Sequence, residues 1–152
     1  MLLTSPSFRS GELIPDKFTC SGGDINPTLE ISNVPSEAKS LALIVDDPDA
    51  PGGDWVHWVV WNIPAGKRGL LENFPKDKEL KDGTRQGTTD FGRVGYGGPC
   101  PPSGVHRYFF KLYALKSRLD MAPGSSKADL LAAMKALTLA SCKFYGKYQR
   151  KR

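Results

Sequence analysis

Apolar residues in this chain gather into a few short, dense runs separated by longer polar stretches rich in glycine and proline. Leu41 to Asp46 (LALIVD) is one run, closed by a loop at Pro48. Val56 to Ile63 is apolar at nearly every position, the pattern of a strand buried on both faces rather than one facing water. Pro64 and Gly66 end it, and Tyr108 to Leu115 (YFFKLYAL) forms a third run. Leu2 to Phe8 reads as an edge strand and Leu29-Glu30-Ile31 as a short one. Residues 65 to 107 are polar and Gly-rich, with one strand predicted near Arg85 to Thr89. Irregular stretches of that length are usually functional or poorly ordered.

The period changes once. Leu130, Leu131, Met134 and Leu137 recur at helical spacing, which predicts a helix over residues 126 to 136. Ser125 and Ser126 are candidate caps, and Asp129 adds favourable charge in the first turn. In the closing segment, Leu139 to Tyr148, the aromatics Phe144, Tyr145 and Tyr148 favour a strand. Short strands with frequent turn signals indicate a β-sandwich, and no repeat or low-complexity linker divides the chain. Its 152 residues fit a single domain, 1–152.

Composition narrows this picture further. Sixteen glycines and twelve prolines imply many turns and little helix. No apolar run approaches a membrane span, and Met1 to Pro6 lack the basic and apolar regions of a signal peptide. A cytoplasmic location is expected. The net charge of +5 is uneven: no acidic residue follows Asp129, whereas Lys135, Lys143, Lys147, Arg150, Lys151 and Arg152 do. Such an end can make peripheral contact with an anionic membrane, although a solvated, solubilising tail is the simpler reading. Nucleic acid is not an expected partner. Trp55, Trp58 and Trp61 lie in a core-like run, and no recognition motif for DNA or RNA is present.

The chemistry concentrates in three clusters, Asp47-Pro48-Asp49-Ala50-Pro51, Trp55-Val56-His57-Trp58 and Gly95 to Tyr108. Both histidines of the chain, His57 and His106, fall within them. Strand alternation places Trp55, His57, Val59 and Trp61 on one face, and His106, Tyr108 and Phe110 on one face of the later strand. Asp47 and Asp49 point the same way if their loop is extended. Imidazoles, carboxylates, a phenol and glycine-freed amides suit a small oxyanion. Taken singly, each of these residues is more often structural. A hydrolase or metal-dependent enzyme built on His57, His106 and Asp47 is the alternative, with His57 as base or two histidines and a carboxylate as a metal triad. Against it, no Gly-x-Ser-x-Gly elbow, HExxH or P-loop is present, and Ser103 has no evident base partner. A third reading is a serine protease inhibitor acting through an exposed loop, residues 72 to 90. No cofactor is expected. Cys20, Cys100 and Cys142 are odd in number and lack CxxC spacing, and free thiols are the default in a reducing compartment.

Asp47-Pro48-Asp49-Ala50-Pro51, His57-Trp58-Val59-Val60, Gly98-Pro99-Cys100-Pro101-Pro102 and His106-Arg107-Tyr108 together resemble the two signature regions of the phosphatidylethanolamine-binding protein family, which includes the Raf kinase inhibitor proteins. Phe18-Thr19-Cys20, Asn26-Pro27 and Gly92 through Gly98 resemble its short bacterial and archaeal branch. The similarity runs from residue 1 to about residue 150 without large insertions.

The resemblance implies a mostly β fold: a two-sheet antiparallel β-sandwich with Greek-key-like connections and one or two short helices. It implies a ligand pocket at Asp47, Asp49, Pro51, His57, Gly98, Pro99, His106 and Tyr108, with Trp55 at the rim. The implied ligands are phosphate, acetate or a phosphoethanolamine-like headgroup, and the implied protein partners are a kinase or protease held inactive by binding. The chain ends soon after Tyr148, without the C-terminal helix of eukaryotic members. Members of the short branch often form homodimers. The resemblance implies a cis Ala50–Pro51 peptide and Cys20 and Cys100 close enough to bridge under oxidising conditions, and the apolar closing segment predicts a buried, inert Cys142 thiol.

Overall fold

The computed structural model describes residues 1–150, so Lys151 and Arg152 of the basic tail lie outside the described residues. Strands β1 (Leu2–Thr4), β2 (Leu29–Ser32) and β5 (Gly69–Leu70) form a small sheet in the order β1-β2-β5. The large sheet runs β6 (Arg85–Gln86), β4 (Trp55–Pro64), β3 (Ser40–Asp47), β7 (His106–Leu115), β8 (Thr138–Tyr148). All named pairings are antiparallel. After the β3–β4 hairpin, β7 returns to the free side of β3, a Greek-key-like connection. One 3-10 turn, Asp16–Phe18, and one helix, α1 (Lys127–Met134), complete the described elements.

The apolar runs of β3 and β4 become doubly buried strands because the large sheet is covered on both faces there, whereas β7 and β8 leave one face partly open. Leu41, Leu43 and Val45 of β3 join Trp58, Val60, Phe110 and Leu112 in the core that also takes Leu3, Leu29 and Ile31 of the small sheet. Ala42, Ile44, Val59 and Trp61 face the opposite way, toward Leu130 and Met134 of α1. The helix starts where Ser126 accepts the Asp129 N–H at 3.1 Å and the Asp129 carboxylate accepts the Ser126 N–H at 3.1 Å, a capping box. It is shorter than the 126–136 segment predicted: Leu137 lies beyond it, partly buried against the same core.

Two β-bulges in β4 break the expected alternation. Val45 pairs with Trp58 and Asp46 with Val56, so His57 is the extra residue between them. The next is near the far end, where Leu41 pairs with Ile63 and Leu43 with Val60. There Asn62 adopts φ +55°, and its side chain accepts the Leu119 N–H at 2.7 Å and donates to the Leu119 carbonyl at 2.8 Å. The first bulge matters for function. It sends Val59 and Trp61 to the helix side while His57 packs against Tyr108 on the other. The expectation that Trp55, His57, Val59 and Trp61 share one face is therefore corrected.

Residues 65 to 107 have little regular structure but are firmly tied. Buried Gln86 accepts from the Trp58 indole at 2.7 Å and donates to the carbonyls of Pro75 and Asp77 at 2.7 and 2.8 Å. Buried Asn26 holds Leu71 and Phe74 by a carbonyl and an amide. Two local expectations are corrected. The described residues contain no cis peptide, so Ala50–Pro51 is trans. The reversal between β3 and β4 is made instead by Gly53 at φ +100°, whose N–H donates to the Ala50 carbonyl at 2.9 Å. Cys142 is half-buried rather than buried, because β8 is an edge strand that covers it on one side only. Burial pushes its thiol pKa up.

Candidate functional site

The ends of β3, β4 and β7 meet at one end of the large sheet and surround a cavity of about 230 Å³. Asp47, Ala50 and Pro51 line it from the β3–β4 loop, Trp55 and His57 from β4, and His106 and Tyr108 from β7. Phe91, Cys100, Pro101 and Pro102 close it from the long irregular segment. The structure thus brings together Asp47, Pro51, Trp55, His57, His106 and Tyr108 of the residues predicted from sequence. It leaves Asp49, Gly98 and Pro99 outside the lining.

His57 is placed by its bulge. The Gly97 N–H donates to the His57 carbonyl at 2.9 Å, and the His57 Nδ1 lies 2.6 Å from the Gly97 carbonyl. A carbonyl only accepts, so Nδ1 carries the proton and Nε2 keeps its lone pair. The ring meets Phe91 and Tyr108 edge-on, with centroids 5.2 and 5.1 Å away. Burial lowers its pKa below the ordinary 6.5, opposed by the Gly97 carbonyl and the Asp47 charge. With the folded value below the unfolded one, the unfolded chain takes up the proton first. This contribution to stability is complete above pH 6.5 and is lost as pH falls below it. Ring nitrogen NMR should find His57 as the neutral Nδ1–H tautomer with a midpoint under 6.5. A midpoint at or above that value would overturn the assignment.

His106 is oriented by a carboxylate. Its Nδ1 lies 2.7 Å from Asp47 Oδ2, and both side chains are buried. Asp47 Oδ1 accepts the Asp49 N–H at 2.7 Å, so one carboxylate aligns the ring and folds the loop. Asp49 itself turns away to Arg107, which bonds both its oxygens at 2.9 Å and adds a backbone N–H at 2.9 Å. These hydrogen bonds hold the Asp49 carboxyl at about 2. Asp49 therefore pins the β3–β4 loop to the start of β7.

Tyr108 supplies the anomaly of the site. Its hydroxyl is buried and makes no hydrogen bond of good geometry among the described residues, although the Cys100 backbone lies near enough to act on it. Burial raises its pKa, the Asp47 and Asp49 charges raise it further, and the Arg150 charge and the Cys100 backbone oppose them. An unpaired buried hydroxyl costs on the order of 1–3 kcal/mol unless something in the cavity satisfies it.

Gly98 and Pro99 build the wall behind the site. The Gly98 N–H donates to Asp24 Oδ1 at 2.7 Å, and the Pro99 carbonyl accepts the Cys20 N–H at 3.1 Å. Cys20 and Cys100 form a disulfide with Cα atoms 5.4 Å apart, in line with the proximity expected of them. Phe91 is a lining residue that sequence reasoning missed, since a lone aromatic in a polar Gly-rich stretch has no local pattern. Cys100, Pro101 and Pro102 carried a signal in the Pro/Gly cluster. Among the described residues no three His, Cys, Asp or Glu side chains converge as a metal site.

Comparison with known proteins gives a consistent answer. The family profile described as Phosphatidylethanolamine-binding protein matches residues 4–149. A UPF0098 protein of Methanothermobacter thermautotrophicus is 53% identical, over 99% of both chains. A UPF0098 protein of Aquifex aeolicus is 50% identical, over 99% of this chain and 89% of its own. Among solved structures, a phosphatidylethanolamine-binding protein homologue of Chlamydia trachomatis superposes with a TM-score of 0.91 at 40% identity, covering 98% of this chain and 97% of its own. E. coli YbcL, described as a member of the mammalian family, gives 0.90 at 38% identity and 98% of both chains. The chain belongs to the phosphatidylethanolamine-binding protein family.

Proposed function

We propose that this protein binds a small anion, such as phosphate or a phosphoethanolamine-like headgroup, and acts by binding rather than by turnover. One observation carries the reading. His57 and His106 each commit Nδ1 to a protein acceptor, and the buried Tyr108 hydroxyl makes no well-formed hydrogen bond, so three polar groups of one cavity retain capacity for a ligand. A protonated phosphate oxygen matches the His57 Nε2 lone pair, and an unprotonated one accepts from the phenol. Pro51, Trp55, Phe91, Pro101 and Pro102 surround these groups with apolar surface suited to the organic part of a ligand. The lining contains no serine, and its single cysteine is held in the disulfide, which favours binding over a covalent hydrolytic route. Residues 72 to 90 are tied down through Gln86, which gives the protease-inhibitor loop little support. Occupancy of such a pocket is a means of regulating a kinase or protease partner. No described helix is long and apolar enough to cross a membrane.

Titration calorimetry with inorganic phosphate and O-phosphoethanolamine tests the reading. His106→Ala should weaken binding by about 1–3 kcal/mol, the worth of one charge-assisted hydrogen bond, with the fold intact by circular dichroism. Equal affinity in wild type and variant would overturn it. Hydrolysis of a phosphoester that disappears in the same variant would establish an enzyme instead.

A further inference from the structure

The Cys20–Cys100 disulfide forms part of the cavity wall, and its two sulfurs sit in unlike surroundings. Cys20 is exposed, on a turn that continues into Ser21-Gly22-Gly23, where no bulky neighbour follows it. Cys100 is half-buried and lines the cavity. The Arg150 guanidinium lies with Nη2 2.6 Å from Cys100 Sγ and 3.4 Å from the Cys100 carbonyl. Thiol–disulfide exchange is governed by access to the attacked sulfur and by the stability of the departing thiolate. Access favours attack at Cys20. A guanidinium beside the sulfur favours departure of Cys100, because positive charge stabilises a thiolate.

We infer that Cys20 is a modification site for a low-molecular-weight thiol, with Cys100 as the leaving group. The thiolate of the incoming molecule attacks Cys20 Sγ and forms a mixed disulfide there. The Cys20–Cys100 bond breaks, and its electron pair leaves on Cys100 Sγ as a thiolate held by Arg150. No further oxidant or reductant is needed.

The exchange has a consequence for the cavity. Residues 101 to 105 make no hydrogen bond among the described residues, so the disulfide at Cys100 is the covalent anchor of that wall. Releasing it loosens Pro101 and Pro102, which line the cavity. Exchange at Cys20 should therefore weaken anion binding, a consequence that rests on the function proposed above.

The test is incubation of the disulfide-bonded Cys142→Ser protein with glutathione, an acid quench, alkylation and peptide mapping by mass spectrometry. Glutathione should occupy Cys20 in preference to Cys100 by roughly tenfold, and Arg150→Gln should bring the two close to parity. Adduct mainly on Cys100, equal labelling in the parent, an intact disulfide, or a preference unchanged by Arg150→Gln would each overturn the inference. Phosphate titration of the Cys20 adduct against the unmodified protein then reads the wall. Weaker binding is expected in the adduct, and equal binding would remove the link to the cavity. Unmodified protein that fails to bind phosphate would count against the proposed function alone, because the mapping result does not depend on it.

Discussion

Gly98→Ala should lower stability by about 2–3 kcal/mol, the range for overpacking a site that cannot relax. A Cβ at Gly98 would lie 2.4 Å from the Phe18 carbonyl oxygen, 2.6 Å from Asp24 Oδ1 and 2.9 Å from the Thr19 Cα. The Phe18 and Thr19 atoms are backbone and cannot swing aside. That backbone is also fixed: the Thr19 N–H donates to Asp16, the Tyr96 hydroxyl donates to the Phe18 carbonyl at 2.7 Å, and Cys20 is covalently held. Moving Asp24 instead would break its bond to the Gly98 N–H. Urea denaturation of wild type and variant measures the loss. A loss under about 0.5 kcal/mol, the level of an innocuous surface change, together with altered phosphate affinity, would return Gly98 to the binding site. The prediction separates two roles that sequence motifs merge, touching a ligand and permitting close approach of the wall.

The contrast between Gly98 and His106 shows what the chain discloses directly. Apolar runs announce strands: β3 and β4 were legible because they are buried on both faces, and β7 because its apolar and aromatic run packs one face into the core while the other stays half-exposed. Their loop-proximal ends then place Asp47, Trp55, His57, His106 and Tyr108 at one end of the sheet without any knowledge of loops. The orientation of His57 was right for a reason alternation does not supply. A bulge makes it an extra residue, and only strand pairing reveals a bulge. Asp49 was misplaced because an extended loop would aim it with Asp47, whereas the bidentate ion pair with Arg107 turns it outward. Arg107 is 58 residues away in sequence, so that choice is tertiary. Phe91 escaped for the same reason: its place in the cavity depends on ties such as the Asp90 carboxylate accepting the Val56 N–H at 2.7 Å. The strand Gly69–Leu70 and the 3-10 turn at Asp16–Phe18 are too short to show a period at all.

Removing the disulfide should have the largest effect of any change considered. The bond joins positions 80 residues apart, so just over half of the chain lies within the loop it closes. In the chain-entropy account, a cross-link of that span stabilises by about 4.5 kcal/mol through the unfolded state. The paired substitution Cys20→Ser with Cys100→Ser should therefore lower the melting temperature by roughly 9–18 °C for a domain of this size. Scanning calorimetry measures it, and wild type kept in a dithiol reductant should reproduce most of the shift. The folded state loses less than the unfolded state gains, because the surrounding segment keeps the Cys20 N–H bond to Pro99 and the Gly98 bond to Asp24. The paired variant should thus refold to the same sandwich, with its near-ultraviolet tyrosine and tryptophan signals retained below the new transition. A shift under about 3 °C, roughly 1 kcal/mol, would mean that the unfolded chain already holds these two loops together. In that event the disulfide would serve the local order of the cavity wall and not the stability of the domain.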